Sequence, residues 1–380
     1  MGVSAVLRAL RPWRIVYNGQ RWASGSGKDR RDISALLDEA YVEREEEERP
    51  PEPRRSPQSC SILLFPGQGS QIPGMAGGLL HYPNVREMFQ VAHKVLGYDL
   101  LDLCLRGPPE MLNKTVHCQP AMFVTSVAAT EKLNQERPEA LESCVAVAGY
   151  SVGEFAALVA SGCLEFTEAL YAVKMRAEAM QRASEAVPSG MLSVVGNAKS
   201  RYTAACAEAK EHCQKLGIQE PVCQVASYLF PNGRVIAGHM EAIQFLQNNA
   251  RKLNFIRTKL LPVSGAFHTS LMQPAVQPLE EALRSLMFRK PLVNVYCNVD
   301  GLKYRRESGI PQLLAKQLVS PVKWEQIMHS IYERQKGEDF PITYELGPGG
   351  QLGAILKATN LKAWRTYRQI EVLQQEQVAE

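Results

Sequence analysis

Gly149-Tyr150-Ser151-Val152-Gly153 follows the apolar run Val145-Ala146-Val147-Ala148 and opens the small-residue run Phe155-Ala156-Ala157-Leu158-Val159-Ala160. The order reads as strand, tight turn and helix, with a serine on the turn. Glycines on either side let the backbone bend where a β-carbon would clash, so the hydroxyl projects above a sheet. The serine also stands at a helix N-terminus, where unpaired N–H groups can hold a developing oxyanion. A Gly-x-Ser-x-Gly match also occurs in merely structural turns; the strand–turn–helix setting favours a nucleophile.

Working outward, 380 residues suffice for one large α/β domain with an insertion, or for two domains. A hydrophobic content of 45% with 22% charged residues is that of a globular protein. No apolar run reaches the roughly 18 residues of a membrane span, so none is expected. The nine cysteines are scattered without a Cys-x-x-Cys pair, which argues against zinc and against a disulfide framework. They read as reduced, buried, small apolar residues.

The first 28 residues hold Arg8, Arg11, Arg14, Arg21 and Lys28, no acid, and serines near their end. This is the composition of a mitochondrial transit peptide, with a basic tail as the alternative. Residues 29–59 read as a disordered linker: the acidic run Glu43 to Glu48 and the proline-rich Pro50 to Pro57 cannot bury a core. The chain's net charge is +4, and residues 56–380 carry about +3 of formal charge. That suits an acidic protein partner and is too little to argue for nucleic acid.

Order begins at Ser61-Ile62-Leu63-Leu64-Phe65, an apolar strand that ends in Pro66-Gly67-Gln68-Gly69-Ser70-Gln71. Val145–Ala148, Leu292–Tyr296 and Ile342–Glu345 are further short apolar runs separated by helical stretches, the alternation of an α/β fold with a parallel sheet. Residues 190–262 break the rhythm. They read as strand, helix, strand, strand, helix, strand, the ferredoxin-like order. The expected architecture is a hydrolase-like large unit (60–189 and 263–375) with a ferredoxin-like small subdomain (190–262) inserted in it.

A serine nucleophile needs a base. His268, in the loop Gly265-Ala266-Phe267-His268-Thr269-Ser270, has the best setting of the seven histidines. Many acids lie between Ser151 and His268, yet none stands in an evident strand-end loop, so a dyad and a triad both remain open. The Pro66–Gln71 loop exposes backbone N–H groups that could supply a second oxyanion donor beside Val152 N–H. It lacks the Gly-Lys-Ser/Thr of a phosphate cradle. Arg176 lies on the helical stretch Leu170–Arg182, where a solvated arginine is the ordinary case.

Taken together, Phe65–Gln71, Thr115 with Gln119-Pro120-Ala121, Gly149–Glu154, Met175-Arg176, Phe267-His268 and Glu345-Leu346-Gly347-Pro348-Gly349 resemble the malonyl-CoA:acyl-carrier-protein transacylase family over about residues 61–360. With the leader, the resemblance is to the mitochondrial form and implies the mitochondrial matrix. It implies that Ser151 attacks the malonyl thioester and that His268 moves the proton. Backbone N–H of Gln68 and Val152 would form the oxyanion hole. Arg176 would hold the free malonyl carboxylate, and the Gln317 carbonyl, in Gln317-Leu318-Val319-Ser320-Pro321, would orient the histidine in a dyad. The partners implied are malonyl-CoA and acyl carrier protein. No dissociable cofactor or metal is implied, since phosphopantetheine arrives on the partner.

Four positions depart from the family pattern. Tyr150 stands where histidine is usual, which changes the pocket wall; Ser227 replaces a frequent asparagine, and Thr269 a frequent serine. Phe267 resembles members restricted to unbranched malonyl, because its bulk would crowd a 2-methyl group. Two rivals stay in view. An acyl-CoA hydrolase would share the elbow and base but admit water, and a scaffold of the same fold would have no use for Ser151, His268 and Arg176.

Overall fold

The computed structural model describes residues 56–374. The expected leader, linker residues 29–55 and residue 375 of the expected large unit lie outside them. Linker residues 57–59 form a single 3-10 turn.

Among the described residues nine strands form two sheets: β1 (Ser61–Phe65), β2 (Cys144–Gly149), β3 (Ser189–Val195), β4 (Cys223–Phe230), β5 (Gly233–His239), β6 (Arg257–Leu260), β7 (Asn294–Tyr296), β8 (Ile342–Leu346) and β9 (Tyr367–Ile370). The first sheet has the order β7-β2-β1-β8-β9 with every pair parallel. All five residues of β1 are buried. Leu63 and Phe65 pack into one apolar cluster, while Ile62 and Leu64 pack into another on the opposite face. A strand covered on both faces reads as a continuous apolar run, which is why its period-two alternation is hidden in the sequence.

Helices Thr115–Glu136, Gly153–Ala160 and Phe166–Ala186 cover one face, and Trp324–Tyr332 with Gln351–Thr359 cover the other. Every residue of Gly153–Ala160 is buried. Its alanines let it lie close to the sheet.

The second sheet is antiparallel with the order β4-β5-β3-β6. Helices Tyr202–Lys215 and Met240–Asn248 pack on one of its faces, around Leu192, Val194, Ile236 and Ile243. With strand–helix–strand–strand–helix–strand connectivity, this is the ferredoxin-like arrangement. β4 is also tied to the segment before the helix Trp324–Tyr332, where Tyr228 N–H donates to Val322 O at 2.9 Å and Val322 N–H to Ala226 O at 2.9 Å.

Some expected boundaries shift. β7 begins at Asn294, because Leu292 is exposed and spends its N–H on Ser161 O. The helical pattern from Met272 to Met287 splits into a 3-10 turn, Ser270–Ala275, and a helix, Val276–Arg284. Pro274 sits at the junction and has no N–H to continue a helical ladder.

Candidate active site

The turns that matter stand at the C-terminal edge of the parallel sheet, where ligands of such sheets bind. Ser151 ends the β2 turn with φ 54°, a left-handed conformation costly for a residue with a β-carbon. The surrounding structure enforces it. A β-carbon on Gly149 would stand 1.9 Å from Gly153 O, and one on Gly153 would stand 2.3 Å from Phe65 O. Only glycine lets the helix start so close to β1. The bend is then pinned by Asn298, whose Oδ1 accepts from Ser151 N–H at 2.7 Å and whose Nδ2 donates to Gly149 O at 2.7 Å.

His268, itself at φ 62°, approaches from the loop before the Ser270–Ala275 turn. Its Nδ1 lies 2.8 Å from Gln317 O and its Nε2 lies 2.8 Å from Ser151 Oγ. A carbonyl can only accept, so Nδ1 carries the proton and Nε2 is left as an acceptor for the serine hydroxyl. Among the described residues no carboxylate bonds the imidazole, so the acid of a triad is absent there. Burial, then the nearby Arg176 charge, lowers the His268 pKa to about 4. The ring is therefore neutral at neutral pH, with Nε2 free to accept a proton.

Arg176 is fully buried, although its helix carries polar residues. Its Nη1 donates to Gln119 Oε1 at 2.7 Å, and its Nη2 to Gln317 Oε1 at 2.7 Å and Ser151 Oγ at 3.1 Å. Nε has no hydrogen-bond partner among the described residues. Burial lowers its pKa to about 10, against the opposing pull of Glu154, so it stays charged at neutral pH. A cation thus touches the serine oxygen that faces the neutral imidazole.

The Pro66–Gln71 loop lies alongside. It is held by Gln351 Nε2 donating to Gly69 O at 2.7 Å and by Gln71 Nε2 donating to Asn113 Oδ1 at 2.8 Å. Backbone N–H of Gln68 and of Val152 donates no hydrogen bond among the described residues. A cavity of about 350 Å³ between the two sheets is lined by Gln68, Tyr150, Leu229, Lys259, Val263 and Gln351. The Tyr150 hydroxyl donates to Ser227 Oγ at 2.6 Å. Phe267 is buried in the main apolar cluster and does not line that cavity.

The acyl transferase domain family matches residues 62–359. The mitochondrial malonyl-CoA–acyl carrier protein transacylase of Mus musculus is 58% identical over 97% of this chain and 97% of its own length. Its Homo sapiens counterpart is 60% identical over 90% of this chain and 88% of its own length. The chain belongs to the malonyl-CoA–acyl carrier protein transacylase family. Among solved structures, the transacylase of Coxiella burnetii superposes with a TM-score of 0.72 at 32% identity, covering 83% of this chain and 95% of its own.

Within this acyl transferase, four residues join the site that sequence reasoning gave no role. Gln119 and Glu154 stood in the quoted motifs, but nothing in their spacing aims them at Arg176 or Gln317. Asn298 and Tyr304 went unnoticed; the one signal was an asparagine just beyond the end of a strand. Glu154 is fully buried and accepts from Gln317 Nε2, the Tyr304 hydroxyl and Asn298 N–H. Burial raises its pKa to about 7, with those donors and Arg176 opposing the rise.

Proposed function

We propose that this chain transfers malonyl groups from malonyl-CoA to the phosphopantetheine thiol of acyl carrier protein, in the mitochondrion and for fatty-acid synthesis. Ser151 gives up its hydroxyl proton to His268 Nε2 as Oγ bonds to the thioester carbon. Backbone N–H of Gln68 and Val152 receive the negative charge of the tetrahedral oxygen. The carbon–sulfur bond then breaks, and the departing CoA sulfur takes the proton from His268. In the second half, the carrier thiol passes its proton to His268 and attacks the malonyl ester, and Ser151 Oγ leaves and recovers the proton. The Gln317 carbonyl keeps the imidazole in the tautomer both halves need.

The observation that carries this reading is the 3.1 Å contact between Arg176 Nη2 and Ser151 Oγ inside a buried site. Malonyl has a single carbon between its ester and its carboxylate, so a malonyl group on Ser151 keeps its charge beside the guanidinium. The planar fork suits a carboxylate, and a neutral acetyl group gains nothing there. The scheme uses no dissociable cofactor or metal. Tyr150, which lines the cavity, is assigned to the acyl pocket. Residues 60–189 with 263–375 act as the catalytic unit, 190–262 as the small subdomain over it, and 1–28 as the leader to the matrix.

Intact-mass measurement after mixing with malonyl-CoA tests the nucleophile. Wild type gains one malonyl group and Ser151→Ala gains none; an adduct on another residue of the variant overturns the assignment.

A further inference from the structure

We propose that Glu154 is a positioning residue: its carboxylate sets which end of the Gln317 amide faces Arg176, and so aligns the malonyl clamp with the His268 base. The inference rests on the transacylase reading above and adds a role to it. Gln317 serves the site twice. Its backbone oxygen holds His268 Nδ1 at 2.8 Å, and its side-chain Oε1 holds Arg176 Nη2 at 2.7 Å. An amide rotated by half a turn has nearly the same shape, but it would point N–H at the guanidinium, donor against donor.

What forbids the rotated form is the group at the other end. Gln317 Nε2 donates to Glu154 Oε2 and, at 3.1 Å, to Ser151 O. Two further donors, Asn298 N–H and the Tyr304 hydroxyl, converge on the same carboxylate. Two of these donors are N–H groups that cannot accept, so an ionised carboxylate, an acceptor at both oxygens, suits them better than a carboxylic acid with a proton on one oxygen. Asn298 carries the effect further, since its side chain ties Ser151 N–H to Gly149 O. One carboxylate therefore holds the elbow, the clamp and, through Gln317, the base, while touching none of the reacting atoms.

The groups facing Glu154 are Arg176 from the helix Phe166–Ala186, Tyr304 and Cys297 from the segment after β7, and, beyond Gln317, His268. Burial pushes the carboxyl up to about 7, so its acceptor-only form is lost on mild acidification. His268, held near 4, is not the group that would limit the rate there.

The test is the pH dependence of Ser151 malonylation by malonyl-CoA in single turnovers, for wild type, Glu154→Gln and Tyr304→Phe, with rates scaled to the fraction of enzyme that finally carries malonyl. Wild type should fall by about tenfold in all as pH drops through about 7 and then level off. Glu154→Gln should show no such limb and a plateau about tenfold lower, the loss of one charge-assisted hydrogen bond. Tyr304→Phe removes a donor to the carboxylate and should move the limb to higher pH. Ionisation of the CoA phosphates is common to all three and cancels. A limb that survives unchanged in Glu154→Gln, or a limb in Tyr304→Phe that does not move, overturns the inference. Failure of wild type to carry malonyl at all would instead overturn the transacylase reading.

Discussion

Arg176→Ala is the sharpest perturbation of the acyl pocket. In wild type the guanidinium is fully buried, stays charged because its pKa falls only to about 10, and has Nη2 3.1 Å from Ser151 Oγ. Truncation leaves Gln119 Oε1 and Gln317 Oε1, each formerly 2.7 Å from a guanidinium nitrogen, as the polar atoms meeting an incoming carboxylate. Both are acceptors, so the malonyl charge would lose its donors and face lone pairs. One hydrogen bond to a charged group contributes about 1.5–3 kcal/mol, which is about 10- to 150-fold in selectivity. Acetyl groups carry no carboxylate and lose none of this. The assay is competition: equal malonyl-CoA and acetyl-CoA are mixed with enzyme and the two Ser151 adducts are counted by mass. The ratio should move toward acetyl by about 10- to 150-fold. Arg176→Lys, which keeps the charge without the planar fork, should fall between the two. A ratio within about threefold of wild type would refute the clamp, since an interaction of the expected strength cannot be lost so quietly.

Two further outcomes follow from the packing and the buried charges. Gly153→Ala places a β-carbon 2.3 Å from Phe65 O and 2.7 Å from Pro66 O, so the helix must back away from β1; overpacking of this kind costs about 1–3 kcal/mol, and an unchanged thermal midpoint would contradict the close approach. The buried pair His268 and Glu154 act with opposite signs on stability. His268 has a folded pKa near 4, below its unfolded value of 6.5, so its contribution is present above 6.5 and lost as pH falls toward 4. Glu154 has a folded pKa near 7, above its unfolded 4.5, so its contribution is full below 4.5 and lost as pH rises through 7. Between these limits the two slopes oppose, and Glu154→Gln removes the compensating one. Urea midpoints should show the variant losing about 3 kcal/mol more than wild type from pH 6.5 to 4.5; parallel losses would count against the burial argument.

The fold was legible where a local rule decides it. The run Ser61–Phe65 is too short and too uniformly apolar for anything but a buried strand, and it is covered on both faces. The small-subdomain order was legible because each of its elements carries its own periodicity. Less legible were boundaries set by neighbours, such as the start of β7, where Leu292 N–H is taken by Ser161 O. Which basic surface residues already have partners was not legible either: Lys174 Nζ donates to Val95 O and Arg289 pairs with Glu165.

What the sequence by itself determined about the site is the pair of glycines around Ser151, because steric exclusion of a β-carbon acts between residues a few positions apart. It also carried the motif residues Arg176, His268 and Gln317, as a resemblance. Only the tertiary structure decided that Arg176 is buried against Ser151 Oγ, that the Gln317 side chain holds Arg176 while its backbone oxygen holds His268, and that Glu154 gathers three donors. Those contacts join residues 25 to 163 positions apart. Hydrogen bonds at such separation depend on how helices and strands stack, and no spacing along the chain encodes which polar atoms will be left facing one another.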